Sequence, residues 1–512
     1  MQMMNVIFVL FKDLVSQRCG HHTRDAFNRV MVWSLMAMFE GEHPSYCPNG
    51  HFYDRDTPEG RLAREPLCGR GSEKCRAVLF ANCGDLEHHW QGFGLENPGA
   101  TAAGPCMFCR CNSSTRPYSD YTDTAAWIPT IYTKESWRTH HPNPSRLYLL
   151  PFLSIMNQVP DWMHMQHLGN YQRIFGIVLH VLVYQVLLGN PTDNLAQVVS
   201  DLKAFWRIST EKSFNNIRLA MFCDPSKPQD AYPYLKGEAA EVKHILGGLH
   251  EVWKNHSAAA VERMEAGNPR IPVYGQIRLL LQFLHNMESV LDAHNPVMFP
   301  KLPDAAIREF QMNGNNALTL ITSIAHHYRE VESLMLFNTT IKTHYLKHII
   351  LRAAYQNPRM GMCYMFEDYM QHMKRMIARC CKVAGPRRLS QRIALRQRLV
   401  MHFLSGGSCE FWLFAFSANA FLPTPFCQRH CSQRPSVNVE RYENQCGEFM
   451  LRVCVERCCV CNHHVEFPCG EFMLRVHTAG FGRMRPSLKI PVVIALHVHC
   501  KFNTSEAVYD LN

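Results

Sequence analysis

Apolar positions recur along this chain with helical spacing in some stretches and run together or fade in others, and those changes divide it. Residues 24 to 40 follow Thr23, open on Arg24-Asp25 and carry Phe27, Val30, Met31, Trp33, Leu35, Met36, Met38 and Phe39. That spacing predicts an amphipathic helix with a capping residue. Gly41 to Gly71 is rich in Pro, Gly, Asp and Arg and predicts a long irregular segment. The run Ala77-Val78-Leu79-Phe80-Ala81 is short and continuously apolar, which predicts a buried strand leading to a Gly84-Asp85 turn. From Trp127 to Leu150 aromatic residues and prolines dominate, with a loop at Thr139 to Pro144.

The helical period then returns. An apolar run from Tyr171 to Leu188 is too short and too interrupted by Gly176, His180 and Gln185 for a membrane span, and fits a buried helix. Further helical patterns lie at about 194 to 222, 236 to 266, 272 to 293 and 304 to 336, an all-α block in which Leu279, Leu280, Leu281, Phe283, Leu284 and Met287 outline one apolar face. Beyond Gly406 the pattern fades. There Cys446-Gly447-Glu448-Phe449-Met450-Leu451-Arg452-Val453 recurs intact at Cys469 to Val476, as a recent duplication would leave it, and no stable fold is expected. The expected divisions are 1–150, 151–193, 194–336, 337–405 and 406–512.

Composition narrows the class only a little. With 47% hydrophobic and 19% charged residues the chain can bury a core, and a net charge of +10 suits a polyanionic partner without demanding one. The amino terminus lacks a basic region before its apolar run, so no secretory signal is expected and the sequons at Asn112, Asn255, Asn338 and Asn503 are expected to be unused. Of 22 cysteines, only Cys223 falls between Asn112 and Met362. A disulfide scaffold would not leave the middle bare, so reduced thiols with candidate zinc sites are expected.

Six groups of residues could carry chemistry. Pro160 is a natural first helical residue, which would put Asp161 in the first turn and Asp161 and His164 on one face. Such a pair can serve a metal or a proton transfer, or be a helix-start charge beside a partly buried histidine. Asp85 sits past the end of the predicted strand, as an active-site carboxylate or as a turn and helix cap. Cys106-Met107-Phe108-Cys109-Arg110-Cys111 offers thiolates to zinc, which needs four ligands; Cys75, Cys83, His88 and His89 are nearby candidates for the remainder. Glu367 and Asp368 are acids at a helix start, with Phe366, Met370, Met373 and Ile377 as its buried stripe. The arginine-rich stretch 382–398 can bind phosphates, form a solvated helix face, or pass for a nuclear signal, and Cys458, Cys461, His463 and His464 are a crowded candidate zinc set in the tail.

Three segments resemble one family. PDWMHMQHLGNYQRIFG is similar to the D-x-x-H helix of CACTA-like cut-and-paste DNA transposases, which have an RNase H-like core. CGDLEHHWQGFGLENPGATAAGPCMFC is similar to their strand ending in Asp, followed by a C-x-x-C pair. Phe337 to His348, Asn357 to Gly361 and Cys363 to Tyr369 resemble their basic, His-containing helix, turn and Glu-bearing final helix. The resemblance covers about residues 24 to 405. It implies an α/β fold with a large α-helical part: an incomplete RNase H-like core, an all-α insertion, and an irregular cysteine-rich tail. It implies that helix 24–40 precedes the strand of Asp85, that Asp85 is the second of three catalytic acids, and that Asp161 and His164 follow it. Glu367 would be the third acid, with Asp368 as the alternative.

The implied chemistry is Mg²⁺-dependent cleavage and joining of DNA, in which two hard ions are held by carboxylates. DNA is then the expected partner and the nucleus the expected location, with no membrane association and a homo-oligomer as a candidate assembly. In the family the first acid lies on a β-hairpin before the helix. Asp13 is the sole early Asp here and its surroundings do not read as strands, so that acid is expected to be absent and the chain inactive, as a truncated copy or one with a misassigned start. The alternatives are a non-catalytic DNA- or protein-binding module with a zinc knuckle, and the product of a decayed element.

Overall fold

The structure is a computed structural model that describes residues 22–69, 71–92, 95, 104–140, 145–208, 214, 216–230, 232–364, 367, 368 and 375, with strands at 437–443, 449–455 and 472–476. Asp13, the stretch 382–398, the stripe of Phe366, Met370, Met373 and Ile377, and the tail candidates Cys458, Cys461, His463 and His464 lie outside the described residues.

The body is mostly helical. In chain order it holds α1 (His22–Glu40), α2 (Pro58–Leu62), β1 (Asn82–Gly84), α3 (Lys134–His140), β2 (Gln158–Pro160), α4 (Gln172–Val181), α5 (Pro191–Ile208), α6 (Ala239–Glu262), α7 (Arg270–Ala293), α8 (Asp304–Glu330) and α9 (Ile341–Arg352). Wider π turns at Met163–Tyr171 and Leu182–Val186 extend α4 at both ends. None of the described helices is long and apolar enough to cross a membrane.

Helical periodicity located α1, α4 with its π turn at Leu182–Val186, α6 and α7 to within about a turn, and the start of α8, which ends at Glu330 rather than 336. The first pattern of the block is shorter than expected: α5 stops at Ile208, and Leu219–Met221 is a single 3₁₀ turn. Ile217 and Phe222 are buried without a helix, because the segment lies against the core as irregular chain. Leu280, Leu281, Leu284 and Met287 of α7 are buried, but Leu279 is 44% exposed, one helical step round from them.

The strand is also displaced. Ala77–Ala81 does not join a ladder; the Ala77 amide donates to Met38 O and the Phe80 carbonyl accepts from the Asn157 side chain. Pairing starts only at Asn82, where β2 begins after the capped turn Ser154–Asn157. β1 and β2 run parallel, with Asn82 opposite Gln158, Cys83 opposite Val159 and Gly84 opposite Pro160. They are the only paired strands among the described residues of the body. Pro160 therefore closes a strand rather than opening a helix.

A separate antiparallel sheet joins β3 (Val437–Glu443), β4 (Phe449–Val455) and β5 (Phe472–Val476). The two copies of Phe-Met-Leu-Arg-Val pair with one another there, Phe449 opposite Val476 and Val453 opposite Phe472.

Candidate metal centre and acid cluster

The helix α9 organises two polar clusters. Thr340 and Thr343 cap its start reciprocally, and nearly all of the helix is buried, so its polar residues must find partners inside the protein. Lys347 reaches Asp123 at 2.8 Å and Asn315 at 2.7 Å. Arg352 donates to the carbonyls of Met156 (2.7 Å) and Gln158 (2.8 Å), beside β2. His344 and His348, one turn apart, face the cysteine knuckle.

The first cluster comprises Cys106, Cys109, Cys111 and His344. All four are buried, and their ligand atoms lie within 4.8 Å of one another. His344 Nε2 is 3.3 Å from Cys109 Sγ, while His344 Nδ1 is held by the Tyr118 carbonyl at 3.1 Å, which aims Nε2 at the sulfurs. His348 Nε2 is a fifth donor at the rim, 3.4 Å from Cys106 Sγ and 3.1 Å from His344 Nε2. Burial, then the neighbouring His344 and Arg352, hold its imidazole well below the ordinary histidine range, so it is neutral, the ligating form. Burial pushes the Cys106 and Cys109 thiols up, whereas hydrogen bonds from those two thiols draw Cys111 down.

The donor set fits zinc. Thiolates and imidazoles are its preferred ligands, and bonds of about 2.0–2.3 Å in a tetrahedron place donors roughly 3.5–3.8 Å apart. The fourth ligand was not among the four residues expected near the knuckle. Cys75 is bonded to Cys68, a disulfide among thiols expected to be reduced; Cys83 Sγ donates to Met360 O, and His89 is buried against Gln158 and Val159 of β2. The spacing His344-x-x-x-His348 on a predicted helix was the available signal.

The second cluster gathers the acids. Because Gly84 faces Pro160 in the parallel pair, Asp85 and Asp161 emerge side by side at the carboxyl ends of the two strands. Gly361 packs against the Pro160 carbonyl so closely that a Cβ there would lie 2.5 Å from it, and this brings the segment leading to Glu367 across the same end. His164 Nδ1 is hydrogen-bonded to Asp161 Oδ2, and His164 Nε2 is 3.3 Å from Glu367 Oε1. Asp161, His164 and Glu367 are thus in contact, and the charge of Asp85 acts on His164. Glu367 and Asp368, the alternative acid, are both exposed, and Glu367 is the one that meets His164.

Lys342 of α9 completes the floor. Its Nζ donates to the carbonyls of His164 (3.0 Å) and Leu168 (2.9 Å) in the π turn, where Leu168 leaves helical geometry. Gly169 leaves room for it, since a Cβ there would lie 2.6 Å from Lys342 Cδ.

Comparisons with known protein families, with curated proteins and with solved structures find no match.

Asp161 is fully buried and its oxygens are engaged by the protein. Oδ1 accepts from the amides of Met163 (2.9 Å) and Cys363 (3.1 Å), and Oδ2 meets His164. Asp85 Oδ1 accepts from the His88 amide at 2.6 Å, as a helix cap does. Among the described residues no set of three acids or imidazoles converges here as the cysteines do. The arrangement is that of an imidazole held between two carboxylates, Asp161 on Nδ1 and Glu367 on Nε2. Burial lowers the His164 pKa, but the hydrogen bond and charge of Asp161 and the charges of Glu367 and Asp85 outweigh it, so the imidazole is held above its ordinary 6.5.

Proposed function

We propose that this chain is a protein derived from a CACTA-like DNA transposase, with a zinc-stapled body that binds DNA and an acid cluster that no longer cleaves it. The observation that carries this reading is the meeting of Asp85, Asp161, His164 and Glu367, from three remote segments, at the carboxyl end of one parallel strand pair. Those are the positions that the resemblance singles out. Loss of cleavage is favoured by a specific fact: Asp161 spends both oxygens on protein donors, so it orients His164 instead of a cation.

A supercoiled plasmid incubated with the full chain and Mg²⁺ or Mn²⁺ tests both halves. We expect salt-sensitive DNA binding and nicking no faster than that of Asp85→Ala or Glu367→Ala. Metal-dependent nicking that both substitutions abolish would make the chain an active nuclease. Absence of DNA binding at low salt would leave the protein-binding alternative.

A further inference from the structure

The helical block sends one buried charge towards the acid cluster. Glu288 of α7 is 5% exposed, and its Oε1 lies 3.0 Å from three donors on the D-x-x-H segment: Trp162 Nε1, His167 Nε2 and Tyr171 OH. Lys243 Nζ of α6 lies 3.7 Å from Oε2. Burial alone raises the Glu288 carboxyl, but the charges of His167 and Lys243 and the hydrogen bonds from His167 and Trp162 reverse this and bring it to about 2. The group therefore stays ionised and can only accept, so Nε2 of His167 carries a proton.

The contact continues on the other side of the imidazole. His167 Nδ1 meets the Tyr364 hydroxyl at 2.6 Å. Tyr364 follows Cys363, whose amide donates to Asp161, and lies one helical turn before Glu367. A buried carboxylate in a helical bundle costs stability unless donors satisfy it, and all three donors to Oε1 come from the one short segment that also carries Asp161 and His164.

We infer that Glu288 is a positioning residue of the acid cluster, acting through His167 and Tyr364 to set the segment that carries Cys363 and Glu367 over Asp161. The inference rests on the reading that the acid cluster is the functional site, but its test requires neither DNA nor metal-dependent cleavage. It makes the helical block part of the site.

Hydrogen exchange of the zinc-loaded full chain, followed at the Cys363 amide and at interior amides of α7 and α8, decides it. Tyr364→Phe removes only the hydroxyl, and we expect exchange at Cys363 to accelerate at least about tenfold while α7 and α8 exchange as before. Glu288→Ala is expected to do the same, with Glu288→Gln, which keeps an acceptor oxygen, restoring part of the protection. Unchanged exchange at Cys363 in Tyr364→Phe overturns the inference. So does acceleration spread evenly through α7 and α8, which would mark the network as core packing. If Glu288→Ala fails to fold, Tyr364→Phe still decides. Plasmid nicking is a separate readout, so failure of the transposase reading leaves this result interpretable.

Discussion

The two clusters that α9 packs against, three cysteines with a histidine and three acids with a histidine, have opposite fates. In the cysteine cluster four donor atoms converge within 4.8 Å, and besides contacts among the sulfurs the His344 nitrogen meets Cys109 Sγ and the neighbouring His348 imidazole. In the acid cluster each carboxylate already has protein donors: Asp161 has two amides and an imidazole, Asp85 a helix amide, Glu367 the far nitrogen of the same imidazole. Residue type alone does not make a metal site. What matters is whether the fold leaves the lone pairs unspent and pointed at one place.

The largest expected effect removes the first cluster. Cys109→Ser, or exhaustive chelation, should strip zinc from the chain and separate the knuckle from α9; structural zinc contributes on the order of 10 kcal/mol in small domains. Zinc content by mass spectrometry and urea unfolding report it together, and an unchanged melt without zinc would break the contrast between the clusters.

Asp161→Ala should come next. It leaves the amides of Met163 and Cys363 and the His164 imidazole without their acceptor, at a cost of about 3 kcal/mol in urea unfolding. If Asp161 were instead a strained, cation-ready ligand, the alanine variant would be as stable as the parent or more so.

The smallest effect concerns pH. A histidine raised by its partners stabilises the folded state below the unfolded value near 6.5, and loses that contribution as pH rises through the raised value. His164 should therefore titrate above 6.5 by NMR, and Glu367→Gln should lower its midpoint, since one of the two flanking charges is gone. A His164 that titrates below 6.5 would mean that burial dominates and that the acids stand apart.

Much of the helical framework was legible. The amphipathic period marked α1, α7 and α8 because one face of each must be buried wherever the helix sits. The strand was misplaced by a few residues because apolar content at Ala77–Ala81 says nothing about where a partner begins; Ser154 caps a turn that delays β2 to Gln158. Cys106, Cys109 and Cys111 could be named as ligands from their spacing. His344 could not be joined to them, since it is 235 positions from Cys109 and only the packing of α9 brings it near.

By itself, then, the sequence determined which residues could donate to a metal, which faces of the helices must be buried, and where the polar punctuation falls. Those are local properties of side chains and of a 3.6-residue period. Only the tertiary structure decided that Asp85 and Asp161 leave adjacent strands, that Glu367 returns to them, and that His344 rather than Cys83 or His89 faces the thiols. It also decided that Asp161 is saturated, because hydrogen bonds from Met163 and Cys363 depend on backbone positions that no spacing encodes.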